Sequence, residues 1–512
     1  MNASATTSTG ISRPAPSAPS APVTGWRPVF ADSLMTGGAT AVCHALGAVT
    51  SLLLRCWLSP AQMGLWQGLK LFLSYGNYAG LGASKGAARE LAAARGSGNL
   101  AAARQGLHLA FTFNTITSTA YAVLLAAAAL IIAYQAGTWR TAWSVGLLVV
   151  AALTVLQRYV TFRVTILRAE QAFRATALLA VWEAVVTLLA AGTATWLWGL
   201  PGLYVGTCAV LLSSWLFLHL AAPWKLCWAW DGARIGRLLA IGAPILLAGV
   251  VSSLLRSLDK LMILAYLPDR EYQLGCYSLA LMVGAQVYGV GNMFSTVMGP
   301  RYCELMGRSG DPRTVALLAA RASHLQAAVV GMVSSVAILA GIPLLSWLLP
   351  EYRAGLPALV WILPGVVALC VALPASQYLV AVDRHKRIVP VTAAGVLAAA
   401  AANHWALTHG GSLAGVAVAT SIAYLVYAGL IVRVSLWPQL TIGERAGYVG
   451  GLALVIGATT ALAVGMELWL PWSATDPADT AIKLVVAACG WGVLVFAGVR
   501  WGAWAELWGK PS

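Results

Sequence analysis

The sequence predicts an all-α polytopic membrane protein of about 14 transmembrane helices: two pseudo-symmetric six-helix lobes, then two further C-terminal helices. Three observations lead there. The 512 residues are 59% hydrophobic and 10% charged, with a mean hydropathy of +0.77. Soluble domains, by contrast, carry about 25% charged residues. Apolar runs of roughly 20 residues, long enough at 1.5 Å each to cross a bilayer, recur from end to end. Short motifs in the first half also return in the second at a nearly constant offset.

Residues 1–29 begin MNASATTSTGISRPAPSAPSAPVTGW, rich in Ser, Thr, Ala and Pro, and cannot bury a core. With no apolar h-region, they predict a disordered tail and not a cleaved signal peptide. The expected spans then fall at about 32–57, 64–83, 107–133, 142–161, 175–198 and 201–222, forming an N-lobe over 30–222. A C-lobe over 238–433 takes the spans at 238–267, 274–299, 323–349, 355–381, 388–407 and 411–433. Helices 13 and 14 occupy 446–470 and 480–500, within 446–500. The end, 501–512, spaces Trp501, Trp504 and Trp508 as in a short interfacial helix.

Charge sets the expected orientation. The formal net charge is +15, but the basic residues are clustered in the gaps between apolar runs, which argues against a nucleic-acid partner. About three quarters of the 32 Lys and Arg residues fall in alternate gaps, among them Lys85, Arg89, Arg95, Arg104, Arg301, Arg308, Arg313 and Arg321. By the positive-inside rule those gaps, and both termini, are cytoplasmic. The eight cysteines are scattered singly with no C-x-x-C pair, so they read as small apolar residues without disulfide or metal.

The internal repeat rests on three matches. Gly64 pairs with Gly275, Ser97-Gly-Asn99 with Ser309-Gly-Asp311, and Glu170…Arg174 with Asp383…Arg387, at offsets of about 211 to 213. Six helices per unit return the chain to the same side. The two units are therefore parallel and related by an axis along the membrane normal.

The stretch from Leu238 to Arg301 carries the clearest chemical signal. Its first apolar run holds Arg256, Asp259 and Lys260, and each intramembrane charge costs about 3 kcal/mol on insertion scales. On one helix the three share a face, and Arg256 can pair with Asp259. That face reads as an ion pair stitching two helices together, as a cationic lining for an anionic substrate, or as a coupling-ion site at Asp259. Arg55 and Lys70 stand near the outer ends of helices 1 and 2, where each either snorkels to the interface or contacts substrate. Glu183 in helix 5 is protonated, paired with a cation from another helix, or part of an ion pathway. His44 reads as a packing residue. Asn114, Gln286 and Asn292 can serve neighbouring helices or a polar ligand. Gly242, Pro244, Pro364 and Pro374 invite bends in helices 7 and 10.

No Walker A, H-E-x-x-H or G-x-S-x-G motif occurs, and the longest outer gap is about ten residues. A catalytic protein is thus the less expected class, and no catalytic residue, metal or cofactor is assigned.

Several stretches resemble one family: "LLLRCWLSPAQMGLWQGL", "YAGLGASKGAARELA", "SLDKLMILAYLPDREYQLGCYSLA", "GIPLLSWLLPEYRAGLPALVWILPG" and "VAVDRHKRI". Over about residues 30–435 they are similar, in order and spacing, to the polysaccharide-exporter branch of the multidrug/oligosaccharidyl-lipid/polysaccharide exporter superfamily. The resemblance implies two six-helix lobes in a V around a central cavity, with helices 1, 2, 7 and 8 at its lateral openings. It also implies movement of undecaprenyl-diphosphate-linked glycans from the cytoplasmic to the outer leaflet of a bacterial inner membrane by alternating access. Other polysaccharide-assembly membrane proteins are then natural partners, and a diphosphate gives cations in the cavity a role. The scarcity of arginines in helices 1 and 2 departs from lipid II flippases and favours a different lipid-linked oligosaccharide. A multidrug/cation antiporter of the same superfamily would carry acidic coupling residues in its first lobe, where Glu183 fits. A membrane glycan polymerase or ligase is the other alternative.

Overall fold

The computed structural model describes residues 26–469 apart from 98–99, 140, 222 and 224–226, together with isolated residues between 482 and 490. Among them there is no strand. The α-helices are α1 (Trp26–Trp57), α2 (Pro60–Tyr75), α3 (Ala83–Ser97), α4 (Leu100–Gln135), α5 (Ala142–Ala169), α6 (Phe173–Val186), α7 (Gly192–Ala221) and α8 (Gly232–Leu255). They continue as α9 (Leu258–Tyr266), α10 (Arg270–Ser309), α11 (Pro312–Leu339), α12 (Gly341–Leu348), α13 (Leu356–Ala381), α14 (Ile388–His409), α15 (Leu413–Ser435) and α16 (Ile442–Trp469).

Ten helical segments among the described residues are long and apolar enough to cross a membrane. One of them, Phe173–Ala221, is 49 residues long and supplies two expected spans. It turns back at Gly199, whose φ of 62° and ψ of −135° lie outside helical space. Antiparallel packing follows at once, with Gly202 against the Ala194 carbonyl and Gly206 against Ala191. Apart from those isolated residues, helix 14 lies outside the described residues, as do the 501–512 tail and the tail through residue 25. Helix α1 begins at Trp26, so the last four residues of the expected 1–29 tail are helical.

Helix starts follow local chemistry. Ser59 and Gln62 form a capping box ahead of Pro60 at the first turn of α2. Asp231, Asp311 and Ser412 cap α8, α11 and α15 by accepting backbone N–H bonds from Arg234, from Arg313 and Thr314, and from Gly415. Such polar caps belong at the ends of membrane helices, where otherwise orphaned donors need partners.

Two expected spans are interrupted. Helix 2 stops at Tyr75, passes through a 3₁₀ turn at Gly76–Tyr78, and resumes as α3 after positive φ values at Leu81 (46°) and Gly82 (96°). Helix 7 breaks between α8 and α9, where Arg256 and Ser257 donate backbone N–H bonds to Ser253 and Leu254 in 3₁₀ fashion. Pro244 lies inside α8, and Pro364 and Pro374 lie inside α13, each helix continuing through its prolines.

In the first half α4 packs on α5, α1 on α6 and α7, and α5 on α2 and α7. In the second half α13 is enclosed by α10, α11 and α15, while α14 packs on α15 and on both α8 and α9. The halves meet along a seam. At the Ser59 end α2 lies against α10, and at the Gly82 end α3 lies against α8. Tyr302, Tyr352 and Tyr378 are among the largest fully buried side chains, all in the second half.

Candidate functional site

The seam gathers charge between its two ends. Arg55 from α1, Lys70 from α2 and Lys260 from α9 lie within electrostatic reach of one another. Among the described residues neither lysine ammonium has an ion-pair partner. Lys70 is exposed and Lys260 half-buried. Three cations thus converge from both halves, with one carboxylate, Asp259, near them.

Arg55 does not snorkel. It is 4% exposed and donates from Nη1 to the Ser51 carbonyl (2.8 Å) and Oγ (2.6 Å). From Nη2 it donates to the Ser278 carbonyl and Oγ, both at 3.0 Å, tying α1 to α10. The expected interfacial position fails because the facing helix offers a carbonyl and a hydroxyl deep in the seam.

The expected Arg256–Asp259 pair does not form. The helix break separates the two residues, so the i, i+3 geometry is lost. Arg256 is exposed, with Nη1 3.5 Å from the Tyr288 hydroxyl and the guanidinium 5.8 Å above the Tyr288 ring. Asp259 is 2% exposed and turns into the second half. Its Oδ2 accepts from the Tyr277 hydroxyl at 3.0 Å, and its Oδ1 accepts the Lys260 backbone N–H at 2.8 Å. Tyr277 is also hydrogen-bonded to Thr420, which pairs with Asn403. A buried carboxylate thus ends a chain of neutral groups on α10, α15 and α14.

Glu183 lies apart, in the first half. Its hydrogen-bond partner is the Ser214 hydroxyl of α7, and among the described residues it forms no ion pair with a cation. Its carbonyl accepts from Thr187 Oγ1 at 2.6 Å, where the helix widens into a π turn over Thr187–Ala191. His44 faces Gly289 of α10, as a packing residue should. It also lines a cavity of about 460 Å³ with Cys43, Arg168, Phe173 and Thr176, away from the cation cluster.

Several residues at the seam escaped the sequence reading. The Tyr75 hydroxyl meets Ser257 Oγ at 2.7 Å, and the Tyr78 hydroxyl donates to the Gly249 carbonyl at 3.2 Å. Both cross between halves and hold the two interrupted helices together. Arg158 is 6% exposed. It donates to the Asn77 carbonyl (2.7 Å) and to Asn114 Oδ1 (2.5 Å), while Asn114 donates to Ser84 Oγ at 2.8 Å. This group satisfies a carbonyl freed by the interruption after α2. The signal was present, because Arg158 falls inside the expected span 142–161. At the Ser59 end, Trp143 Nε1 donates to Glu271 Oε1 at 2.7 Å and the Tyr352 hydroxyl donates to the Leu58 carbonyl at 2.8 Å.

Residues 101–348 match a family described as "Polysaccharide biosynthesis protein". Lipid II flippase MurJ in an inward closed conformation superposes with a TM-score of 0.65 at 12% identity, covering 93% of this chain and 99% of that one. An inward-facing multidrug resistance MATE family transporter of the MOP superfamily gives 0.60 at 14% identity, covering 83% and 98%. A MOP superfamily transporter from Pyrococcus furiosus, described as having a binding pocket of reverse polarity, gives 0.54 at 14%, covering 84% and 96%. No curated protein matches the chain in sequence. At 12–14% identity these are likenesses of fold.

Proposed function

We propose that this chain is a member of the polysaccharide-exporter branch of the MOP superfamily and flips an undecaprenyl-diphosphate-linked oligosaccharide from the cytoplasmic to the outer leaflet, a reading supported by the family match over residues 101–348 and by the fold. It does so by alternating access of the two lobes, with boundaries near 30–222 and 238–433, in a bacterial inner membrane. The observation that carries this reading is the convergence of Arg55, Lys70 and Lys260 at the seam, with both ammonium groups unpaired among the described residues. A diphosphate presents several anionic oxygens, each worth roughly 1.5–3 kcal/mol when it accepts from a charged donor. Arg55, already committed to Ser51 and Ser278, supplies field and position, while Lys70 and Lys260 supply contact.

Asp259 supports a second element, coupling to an ion. A carboxylate that is 2% exposed and accepts from a hydroxyl and a backbone N–H is a place where a proton or small cation can be taken up. Glu183 is the alternative carrier in the first half. A cation-exporting antiporter shares the fold, but a cluster of cations repels its cargo.

The test is leaflet translocation in proteoliposomes, with a polyprenyl-diphosphate oligosaccharide and an organic cation offered separately. Glycolipid movement that depends on the protein, without cation export, is the expected result. Export of the cation alone would sink the reading, and chemical alteration of the glycolipid would make the protein an enzyme.

A further inference from the structure

Both ends of the seam are closed, and at both ends the closure is backbone against backbone at glycine. At the Ser59 end, a Cβ built on Gly64 of α2 would lie 1.7 Å from the Glu271 carbonyl oxygen. One built on Gly275 of α10 would lie 1.7 Å from the Pro60 carbonyl oxygen. At the Gly82 end, a Cβ on Gly242 of α8 would meet the Gly82 carbonyl oxygen at 2.0 Å, and one on Gly86 of α3 the Leu238 carbonyl oxygen at 2.2 Å. Small residues let helices approach this closely, and a single methyl cannot be fitted without moving one helix off the other.

Between the closures stand Lys70 and Lys260. Lys70 is about 9 Å along α2 from Gly64 at 1.5 Å per residue. The break in helix 7 places Lys260 between Gly242 and Gly275 along the chain. The closures are also mounted on different rods. Gly64 belongs to α2, but Gly82 and Gly86 follow the 3₁₀ turn and the left-handed Leu81, so a joint separates them. The joint is braced toward the first half by Arg158 on the Asn77 carbonyl and by Asn114 on Ser84.

We propose that the Gly64–Gly275 and Gly82–Gly242 contacts are two gates on either side of the cation cluster, both shut in this structure. The joint between α2 and α3 lets either gate open while the other stays closed. This rests on the alternating-access reading and assigns to that same site the residues that control its exposure.

The experiment measures the gates without cargo, so its failure is separable from failure of the translocation assay. In a background freed of the native cysteines, nitroxide pairs at Ala61→Cys with Tyr272→Cys, and at Arg89→Cys with Arg237→Cys, report the two ends. Pulsed electron spin resonance then gives both distance distributions in lipid nanodiscs. Gly275→Ala is expected to lengthen the 61–272 distance and leave 89–237 unchanged, and Gly242→Ala to do the converse. Gly429→Ala, where an added Cβ has nothing within 4 Å, is the control and should change neither. If either variant fails to fold, Gly64→Ala or Gly86→Ala probes the same end from the other side. The proposal is overturned if each alanine leaves its own distance at the control value, or if one substitution opens both ends. It is equally overturned if both members of an end abolish folding, since a gate must survive being opened.

Discussion

Gly64 and Gly275 make the same contact from opposite sides. Gly64 packs on the carbonyl of Glu271, and Gly275 packs on the carbonyl of Pro60. Glu271 stands 211 positions after Pro60, and Gly275 stands 211 after Gly64. A contact in which i meets j and their repeats meet in reverse is the signature of a two-fold axis. That axis therefore passes between α2 and α10 at the Ser59 end. Two further pairs agree. Gln171 and Asp383 are non-glycine residues with φ of 59° and 53°, and Gly199 and Gly411 have φ of 62° and 55°. Each pair is 212 positions apart.

The cation cluster makes the first prediction. Lys70→Gln and Lys260→Gln should each weaken binding of a polyprenyl-diphosphate glycan about tenfold, which corresponds to roughly 1.4 kcal/mol. Arg256→Gln should weaken it less, because that guanidinium rests on Tyr288. Arg55→Gln should instead lower thermal stability, since it removes the bonds joining α1 to α10. Binding measured by native mass spectrometry, with thermal denaturation alongside, checks all four. Unchanged binding in both lysine variants would move the substrate site elsewhere.

Asp259 and Glu183 separate by their surroundings. Asp259→Asn keeps an acceptor for Tyr277 but cannot take up a charge. Its flipping should continue at a reduced rate and lose its dependence on a proton or sodium gradient. Glu183→Gln, whose partner is a serine hydroxyl, should leave that dependence intact. Translocation rates with and without an imposed gradient decide the matter, and the opposite pattern would transfer the coupling role to Glu183.

Orientation is tested by labelling. In a cysteine-free background, cysteines placed at positions 97 and 310 should react from the cytoplasmic side, and those at 61 and 353 from outside. Reaction of 97 and 310 on opposite faces would contradict the parallel repeat.

Apolar run lengths were enough to place most helices, because span length follows from bilayer thickness. The gap between the expected spans 175–198 and 201–222 is one such case, and the chain turns there at Gly199. The break at Arg256 was not visible. SSLLRSLDKL contains no Gly or Pro, and every residue in it tolerates a helix. The interruption accompanies tertiary bonds, Ser257 to Tyr75 and Asp259 to Tyr277, that no local pattern encodes. Pro244, which marks a weak point in the sequence, lies in a helix that continues to Leu255, so the break comes eleven residues later. Arg55 and Lys70 were found by charge in an apolar run, but their different roles depend on which facing helix offers acceptors. Only Arg55 meets a carbonyl and a hydroxyl.

Under the proposed function, the glycine closures bear on what else crosses the membrane while a large polar cargo does. An energised membrane holds a voltage worth about 2.3 kcal/mol per charge for each 100 mV, and any continuous wet path would discharge it. A closure built from side chains flickers as rotamers exchange on picosecond to nanosecond timescales. A closure in which one helix backbone rests on another has no such torsions, so water is excluded until a whole helix moves. Two of them in series act as an airlock, passing cargo in steps without a moment at which small ions run down their gradient.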